Sequence, residues 1–349
     1  MKKAAAALCC GAVMLASCAD SASGSGSRTV TRPAPDFTAL SETDPSRKDV
    51  YVIIKNMNSN YWDVVIDGAK DGGEFYGCNV YLSGTYVETD WEEQVRLLDI
   101  AVEAGADAVL LAPDDSVQMS EKITEIYDMG IPVVLIDTIA NTDSYQVCYM
   151  TDNLKAGQDA AEEMISRLRT MGAQNNEYLE VGIQVISETS LTINERLAGF
   201  LQYWTENAPD SWNIITDIQC SDSDKAKACR IAEQLFDEHP DIRGVFGPDN
   251  GSAMGFAKAV KARKRKDIAV VGFDYCDDIA ALINDDEYTA SSIVQRQYYM
   301  SYNGIGSALR LLKGEILTRK FVDTGTVIVN PDTIDSPEAA EALPVDQRS

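Results

Sequence analysis

The chain has 349 residues, of which 30 are Lys or Arg and 55 are Asp or Glu, so its formal net charge is −25. This acidic balance argues against nucleic acid or anionic lipid as a partner, because phosphate-rich partners need clustered cations. The one basic cluster, at residues 261–266, falls at the end of a predicted helix, where cations complement the helix dipole. With His239 as the single histidine, histidine catalysis and histidine metal sites lose their basis, and we expect no metal and no cofactor.

Residues 1–17 predict a cleaved secretory signal, because Lys2 and Lys3 precede an apolar run that is shorter than the roughly 20 residues of a membrane-spanning helix. The run ends in Leu15-Ala16-Ser17-Cys18, which resembles a bacterial lipobox. The resemblance implies cleavage before Cys18 and a lipid on Cys18, which would hold an extracytoplasmic protein to the cell envelope. The removed segment contains two lysines and no acidic residue, so cleavage changes the formal net charge from −25 to −27.

Residues 18–48 are rich in Ser, Gly, Thr, Pro and Asp and contain almost no large apolar side chains. A segment of this composition does not bury enough apolar surface to offset chain entropy, so we expect a flexible tether. The roughly 300 residues that follow exceed what one hydrophobic core usually supports, and two domains are the default expectation.

From Val50 onward, short aliphatic runs alternate with amphipathic segments of helical length, which is typical of βαβ units around parallel sheets. The first series predicts strands at 50–54, 79–83, 108–111, 132–136 and 147–150, and helices at 61–75, 91–103 and 117–128. The second predicts helices at 154–170, 193–207, 223–238 and 250–264, and strands at 180–186, 212–219, 244–246 and 268–273. A strand at 290–294, a helix at 297–312 and a strand at 326–329 follow. We expect two similar lobes, 49–151 plus 296–324 and 152–295 plus 325–335, and a tail at 336–349.

Polar side chains gather in the loops after the predicted strands, where parallel sheets carry their ligand groups. These loops combine Asp, Asn and Gln with two adjacent aromatic residues, Tyr61 and Trp62. The loops are residues 56–62, 113–115, 137–138, 152–153, 187–194, 248–250, 274 and 295. Carboxylates, amides and an aromatic face suit a neutral polyhydroxyl ring, although a single Asp after a strand is usually a helix N-cap.

Several motifs occur in a fixed order along residues 48–332. They include Asn58-Ser59-Asn60-Tyr61-Trp62, Ala112-Pro113-Asp114-Asp115, Thr151-Asp152-Asn153, Asn194-Glu195-Arg196 and Val270-Val271-Gly272-Phe273-Asp274. Together they resemble the ribose/galactose type of bacterial solute-binding protein, the extracytoplasmic component of sugar ABC transporters. The resemblance implies the type I periplasmic binding protein fold, an α/β fold of two Rossmann-like lobes with parallel sheets, joined by a three-segment hinge.

Carried over by position, the resemblance implies a sugar site between the lobes. Tyr61 and Trp62 would offer aromatic faces, and Asp137 would accept sugar hydroxyls. The full set of expected ligand-binding residues is Lys55, Ser59, Tyr61, Trp62, Asp137, Thr138, Asn153, Asn194, Asp249, Asp274 and Gln295. Two alternatives stay open, namely that the aromatic pair belongs to the core and that Asp274 is only a cap.

The chain departs from the ribose-binding pattern at three positions. Thr138 and Asn194 stand where that pattern has arginines, so two bidentate guanidinium donors are missing, which argues against ribose itself. Lys55 stands where the family often has a small polar residue. It either partners Asp137 or an acidic ligand group, or it is a solvated lysine at the end of a strand.

The leading hypothesis is a lipid-anchored receptor, not an enzyme, that delivers a monosaccharide or related polyol to an ABC-type permease. A ligand-sensing subunit for a sensor kinase or chemoreceptor is the first alternative. A carbohydrate-active α/β enzyme is the second, but no GxSxG motif or phosphate-binding glycine loop supports it. A transcription regulator of similar shape would need an N-terminal DNA-binding module, where this chain carries a signal and an acidic tether.

Overall fold

The computed structural model describes residues 36–188, 190–222 and 224–343, so the signal segment, Cys18 and most of the predicted tether lie outside the described residues. Within these ranges, no helix combines the length and the apolar character that crossing a membrane requires.

The chain forms two series of alternating strands and helices. The first is β1 (Thr38–Ala39), β2 (Asp49–Ile54), α1 (Asn60–Tyr76), β3 (Asn79–Gly84), α2 (Trp91–Glu103), β4 (Ala108–Leu111), α3 (Ser120–Asp128), β5 (Val133–Ile136) and β6 (Val147–Met150). The second is α4 (Asn153–Thr170), β7 (Leu179–Val185), α5 (Leu191–Asn207), β8 (Trp212–Ile214), β9 (Gln219–Cys220), α6 (Lys225–Glu238), β10 (Ile242–Phe246), α7 (Asn250–Arg263), β11 (Ala269–Phe273), α8 (Asp277–Ile283) and β12 (Thr289–Gln295). The chain then adds α9 (Gln297–Leu312), β13 (Phe321–Asp323), β14 (Thr326–Val329) and α10 (Pro337–Ala342).

Each series builds one sheet, and the predicted α/β class with two Rossmann-like lobes is confirmed. The first sheet has the order β1-β3-β2-β4-β5-β6-β13, and the second runs β14-β12-β11-β10-β7-β8, with β9 also on β7. Neighbouring strands are parallel, apart from the antiparallel pairs β1/β3 and β12/β14. Helices cover both faces, which explains why the central strands are apolar throughout instead of alternating with polar residues.

Strand β2 shows how one strand serves two cores. Val50, Val52 and Ile54 point to the face packed by α1 and α9. Tyr51 and Ile53 point to the opposite face, which α2 and α3 cover. This side-chain alternation, with every residue of β2 buried, is the geometry of a central strand in a doubly covered sheet.

Three segments cross between the lobes and form the hinge. They run from β6 to α4, from β12 to α9, and from β13 to β14. Thr151 Oγ1 donates to Gln295 Oε1 at 2.8 Å, which links the first two crossings. Asp323 Oδ1 accepts from the backbone N–H of Asp152 at 3.0 Å and of Gly325 at 2.8 Å, so the third crossing is tied to the first.

Two expectations about the chain ends need correction. Part of the predicted tether is ordered on the first lobe, because Phe37 is 5% exposed and packs on Tyr51, and β1 pairs with the edge strand β3. Part of the predicted tail forms α10, whose residues Ala339 and Ala342 pack in the core of the second lobe. A few apolar residues and one sheet edge are sufficient to order segments that are polar on average.

Smaller corrections concern element boundaries. The predicted strand 212–219 divides into β8 and β9, which pair with different parts of the longer strand β7. Helix α3 begins three residues later than expected, because Asp115 Oδ1 accepts from the N–H groups of Val117 and Gln118 and forms a turn there. The sequence pattern does not predict α8 or β13.

Candidate functional site

Polar side chains lie at the carboxyl ends of the parallel strands of both sheets, with Tyr61 of α1 and Arg196 of α5 among them. We call this group the cleft cluster and define it as Lys55, Tyr61, Asp137 and Thr138 of the first lobe with Asp274, Gln295 and Arg196 of the second lobe and hinge. Ligands of open α/β sheets bind at these strand ends.

Asp137, directly after β5, is the centre of the first half of the cluster. Its backbone is left-handed, with φ 63°, and its N–H donates to the carbonyl of Tyr149 at 2.8 Å. Lys55 Nζ, at the end of β2, donates to Asp137 Oδ2 at 2.7 Å and to Thr138 Oγ1 at 2.5 Å. Thr138 Oγ1 donates to Asp137 Oδ2 at 2.8 Å, and the Tyr61 hydroxyl donates to Oδ1 at 2.6 Å. Lys55 is therefore the partner of Asp137 and not a solvated lysine at the end of a strand.

The first half of the cluster compensates its own charges. The side chains of Lys55 and Asp137 are 13% and 14% exposed. Burial alone would raise the pKa of Asp137, but the charge and hydrogen bond of Lys55, with the donors Tyr61 and Thr138, hold it below its ordinary value. Burial alone would lower the pKa of Lys55, but Asp137 above all raises it. Both groups therefore stay ionised at neutral pH.

Asp114, after β4, is a neighbour of this pair that the expected ligand set omits. Burial raises its pKa to about 7, against the opposing effects of the Lys55 charge and the Thr85 hydroxyl. Its Oδ1 is buried and accepts no hydrogen bond from the described residues. Thr85 Oγ1 lies 3.3 Å from Oδ2. Three loops of the first lobe thus bring two carboxyl groups close to one ammonium group.

Asp274, directly after β11, is the centre of the second half. Its backbone is also left-handed, with φ 61°, and its N–H donates to the carbonyl of Ile293 at 2.9 Å. Gln295 Nε2 donates to Asp274 Oδ1 at 2.9 Å, so the hinge holds this carboxyl group. The N-cap of α8 is Cys276, which rules out the interpretation of Asp274 as a helix cap.

Asp274 is less well compensated than Asp137. Burial raises its pKa to about 6, while Arg196 and Gln295 act in the opposite direction and the charges of Asp137 and Asp249 add to the rise. The effect of Asp137 shows that the carboxyl groups of the two lobes lie within each other's electrostatic field. Burial also raises the pKa of Tyr61, and the charges of Asp137 and Asp274 raise it further. Tyr61, Asp137 and Asp274 therefore influence one another's ionisation across the two lobes.

Arg196 is a cluster residue that the expected ligand set misses. It is 6% exposed, its Nε donates to Asn153 Oδ1 at 2.9 Å, and its Nη1 donates to the carbonyl of Pro248 at 3.0 Å. Its guanidinium carbon lies 3.7 Å from the centre of the Phe273 ring. The sequence signal is helical spacing, since Ile193, Arg196 and Phe200 share the buried face of α5.

Three expected site residues have other roles. Trp62 is 2% exposed in the first-lobe core, with Nε1 donating to Glu88 Oε1 at 3.2 Å, so its face does not serve the cleft. Asn194 is exposed and its amide donates to the carbonyl of Glu188 at 3.0 Å, because it lies on the outer side of α5. Asp249 is the buried N-cap of α7 and accepts from the Ser252 N–H at 2.7 Å and hydroxyl at 2.8 Å.

The two remaining expected residues lie at the starts of helices. Asn153 is buried at the start of α4 as the acceptor for Arg196. Ser59 is the N-cap residue of α1, but its hydroxyl makes no capping hydrogen bond. Among the described residues, no group of three or more His, Cys, Asp and Glu side chains could hold a metal ion. The cysteines of the described ranges are free thiols, and this includes Cys220 and Cys229.

Comparison with known proteins identifies the family. The sequence profile of the periplasmic binding protein domain matches residues 50–316. The chain belongs to the periplasmic binding protein family. The ribose import binding protein RbsB of Bacillus subtilis is 32% identical to this periplasmic binding protein over 238 residues, which are 68% of this chain and 73% of the relative. The D-ribose/D-allose-binding protein of Pseudomonas aeruginosa is 26% identical over 291 residues, 80% of this chain and 86% of the relative.

Solved structures agree with this assignment. An ABC transporter solute-binding protein from Agrobacterium vitis with bound D-fucose superposes on this periplasmic binding protein with a TM-score of 0.72 at 29% identity. The match covers 84% of this chain and 99% of the other. A carbohydrate transporter solute-binding protein from Agrobacterium radiobacter in complex with D-arabinose gives 0.75 at 25% identity, with 85% and 99% covered. The type I periplasmic binding protein fold is thereby confirmed.

Proposed function

We propose that this protein is an extracytoplasmic receptor that binds a neutral monosaccharide or related polyol between its lobes and delivers it to an ABC-type permease. The observation that carries the proposal is the convergence of Asp137 and Tyr61 from one lobe with Asp274 and Gln295 from the other. Hydroxyl groups that both donate and accept satisfy such a set, and a sugar that touches both halves favours the closed arrangement of the lobes.

The charges of the cleft cluster favour an uncharged ligand. Lys55 and Asp137 neutralise each other, and Arg196 and Asp274 bring one charge of each sign in the second half. The neighbouring acids Asp114 and Asp249 have raised pKa values, which favours their neutral forms. A ligand with a net charge would itself lack a counter-charge in this desolvated site, and an unpaired buried charge is strongly unfavourable. The relatives named above are described with D-ribose, D-allose, D-fucose or D-arabinose, which are all uncharged.

The proposal includes an anchor at Cys18, which lies outside the described residues. Its support is the lipobox-like Leu15-Ala16-Ser17-Cys18 after the apolar run. A lipid there would keep the receptor beside the permease, because each buried methylene contributes about 0.8 kcal/mol to membrane binding. In cells of a bacterial host, we expect the full chain to incorporate radiolabelled palmitate and the Cys18→Ala chain to incorporate none. Absence of label from the full chain, or equal labelling of the two chains, would contradict the anchor.

The binding function is tested with the purified chain without its first 35 residues and a panel of D-ribose, D-allose, D-fucose and D-arabinose. We expect one of these sugars to raise the melting temperature and to bind with a stoichiometry of one in calorimetry, because a ligand of the native state stabilises it by mass action. The sugar should be recovered chemically unchanged after long incubation. Conversion of the sugar would favour an enzyme, and no response to the panel or to a wider set of polyols would contradict the receptor.

A further inference from the structure

The hydroxyl group of Tyr61 has a role beyond the aromatic face that its position predicts. We propose that this hydroxyl is a specificity-determining group, because it fills the acceptor position on Asp137 that a second ligand hydroxyl would need. The first lobe then recognises one sugar hydroxyl through Asp137, and the second lobe recognises a neighbouring pair of hydroxyls through Asp274. The inference deepens the proposed function and rests on it for the ligand.

The protein itself uses most of the acceptor positions of the Asp137 carboxylate. An ionised carboxylate offers about four such positions, shared between its two oxygens. Oδ2 accepts from Lys55 Nζ at 2.7 Å and from the Thr138 hydroxyl at 2.8 Å, so its positions are filled. Oδ1 accepts from the Tyr61 hydroxyl at 2.6 Å. A single position on Oδ1 is therefore left for a ligand.

Packing fixes the Tyr61 hydroxyl at this position. Tyr61 lies in the first turn of α1, and its ring meets the buried Trp62 ring edge-on, with the ring centroids 5.0 Å apart. The hydroxyl oxygen lies 3.8 Å from Sδ of Met300, a fully buried residue of α9. The hydroxyl has one proton to donate, and the Asp137 carboxylate is a stronger acceptor than a thioether. A ligand therefore meets this hydroxyl already bonded to Asp137.

The protonation states keep the position filled at neutral pH. Burial raises the pKa of Tyr61 well above its ordinary value, and the charges of Asp137 and Asp274 raise it further, so the phenol keeps its proton. Against the effect of burial, Lys55 holds the pKa of Asp137 below its ordinary value, so the acceptor stays ionised. A neutral hydroxyl and a carboxylate at 2.6 Å form a short, charge-assisted hydrogen bond.

Asp274 has more acceptor positions open than Asp137. Gln295 Nε2 donates to Asp274 Oδ1 at 2.9 Å, and no other group of the residues that the structure describes donates a hydrogen bond to this carboxyl group. When Asp274 is ionised, about three positions are therefore open to a ligand. The two carboxyl groups thus differ in how many hydroxyls they recognise, and the Tyr61 hydroxyl is part of the difference.

The test measures affinities by calorimetry at pH 7.5 for D-ribose, D-allose, D-fucose and D-arabinose, and for the monodeoxy analogues of the sugar that binds the wild type. Tyr61→Phe keeps the ring and frees the position on Asp137. We expect one hydroxyl whose removal weakens binding to the wild type less than about threefold to weaken binding to this variant about tenfold, because it now bonds to a carboxylate. The matched control is Tyr298→Phe, which removes an exposed hydrogen bond to Asp71 of 2.9 Å in the same lobe and should reproduce every wild-type ratio.

Three results would overturn the inference. Unchanged ratios between the sugar and its analogues in Tyr61→Phe would show that the hydroxyl does not select, and a uniform weakening of every ligand would show a structural effect only. Loss of all binding in Tyr61→Phe would show that the hydroxyl is required for binding and not for selection. If neither a sugar nor a polyol binds the wild type, the proposed function itself fails and this inference fails with it.

Discussion

Asp137 and Asp274 have the same backbone geometry in the two lobes and opposite electrostatics. Each follows a central strand, each has a left-handed backbone, and each N–H donates to the neighbouring strand. Lys55 contacts Asp137 directly, and the pKa of Asp137 falls. Arg196 acts on Asp274 without a direct contact, and burial raises the pKa of Asp274 to about 6. The difference teaches that direct contact with a cation, and not position in the fold, determines how much each carboxyl group is stabilised.

The largest expected effect is on stability, and it comes from a core residue of the first lobe that we expect to leave sugar binding unchanged. Trp62→Ala should lower the free energy of unfolding by about 4 kcal/mol, since it removes a large buried side chain and leaves a cavity. Urea denaturation measures this loss, and Trp62→Phe should lose clearly less. Sugar affinity of the folded variant should stay close to wild type. If the variant keeps its stability but binds sugar far more weakly, Trp62 contacts the ligand and is not only a core residue.

The next effect removes the compensation of Asp137. Lys55→Met should destabilise the protein by about 3 kcal/mol at pH 7, because it leaves a buried carboxylate without its cation. The lowered pKa of Asp137 in the wild type contributes stability above the ordinary pKa of Asp, and this contribution is lost as pH falls through the folded-state pKa. The difference between the wild type and Lys55→Met should therefore shrink at low pH. The double variant Lys55→Met/Asp137→Asn should recover most of the loss, and its failure to do so would contradict the pairing.

The opposite pH dependence is expected for Asp274. Its folded-state pKa of about 6 exceeds the ordinary value, so its ionisation lowers stability as pH rises from about 4 through 6. Asp274→Asn should raise the free energy of unfolding by about 2 kcal/mol at pH 7.5 and by close to zero at about pH 3, below the ordinary pKa of Asp. Asp114 titrates in both proteins and cancels in the difference. Equal effects at the two pH values would show that Asp274 is not desolvated.

Most of the fold could be predicted from sequence because aliphatic runs and helical spacing record burial directly. Helix α2, strands β4 and β6 and helix α9 have the bounds that the pattern predicts. The site residues could be predicted less well, since a position after a strand does not reveal which way its side chain points. Asn194 lies on the exposed side of α5 and Arg196 on its buried side, two residues away. Trp62 follows Tyr61 directly in α1, but the side chain of Trp62 lies in the core and the Tyr61 hydroxyl contacts Asp137.

The smallest effect concerns contact between the lobes outside the cleft. Tyr299 of α9 donates to Glu341 Oε2 at 2.7 Å in α10, a helix that packs in the core of the second lobe. Tyr298 donates to Asp71 within the first lobe at 2.9 Å and is the matched control. Each Tyr→Phe change should cost about 0.5 kcal/mol of stability. Only Tyr299→Phe should change sugar affinity, by about twofold, because it alters the balance between open and closed lobes. Equal affinities in both variants would contradict this coupling.

The central claim is that the two halves of the cleft cluster bind one neutral sugar between them. A crystal structure of the chain with the sugar identified by the panel tests this most directly. We predict the ring between the lobes, with hydroxyl groups on Asp274 and on the Asp137–Lys55–Tyr61 group. A sugar bound elsewhere, or one that contacts a single lobe while Asp137 and Asp274 stay apart from it, would contradict the account.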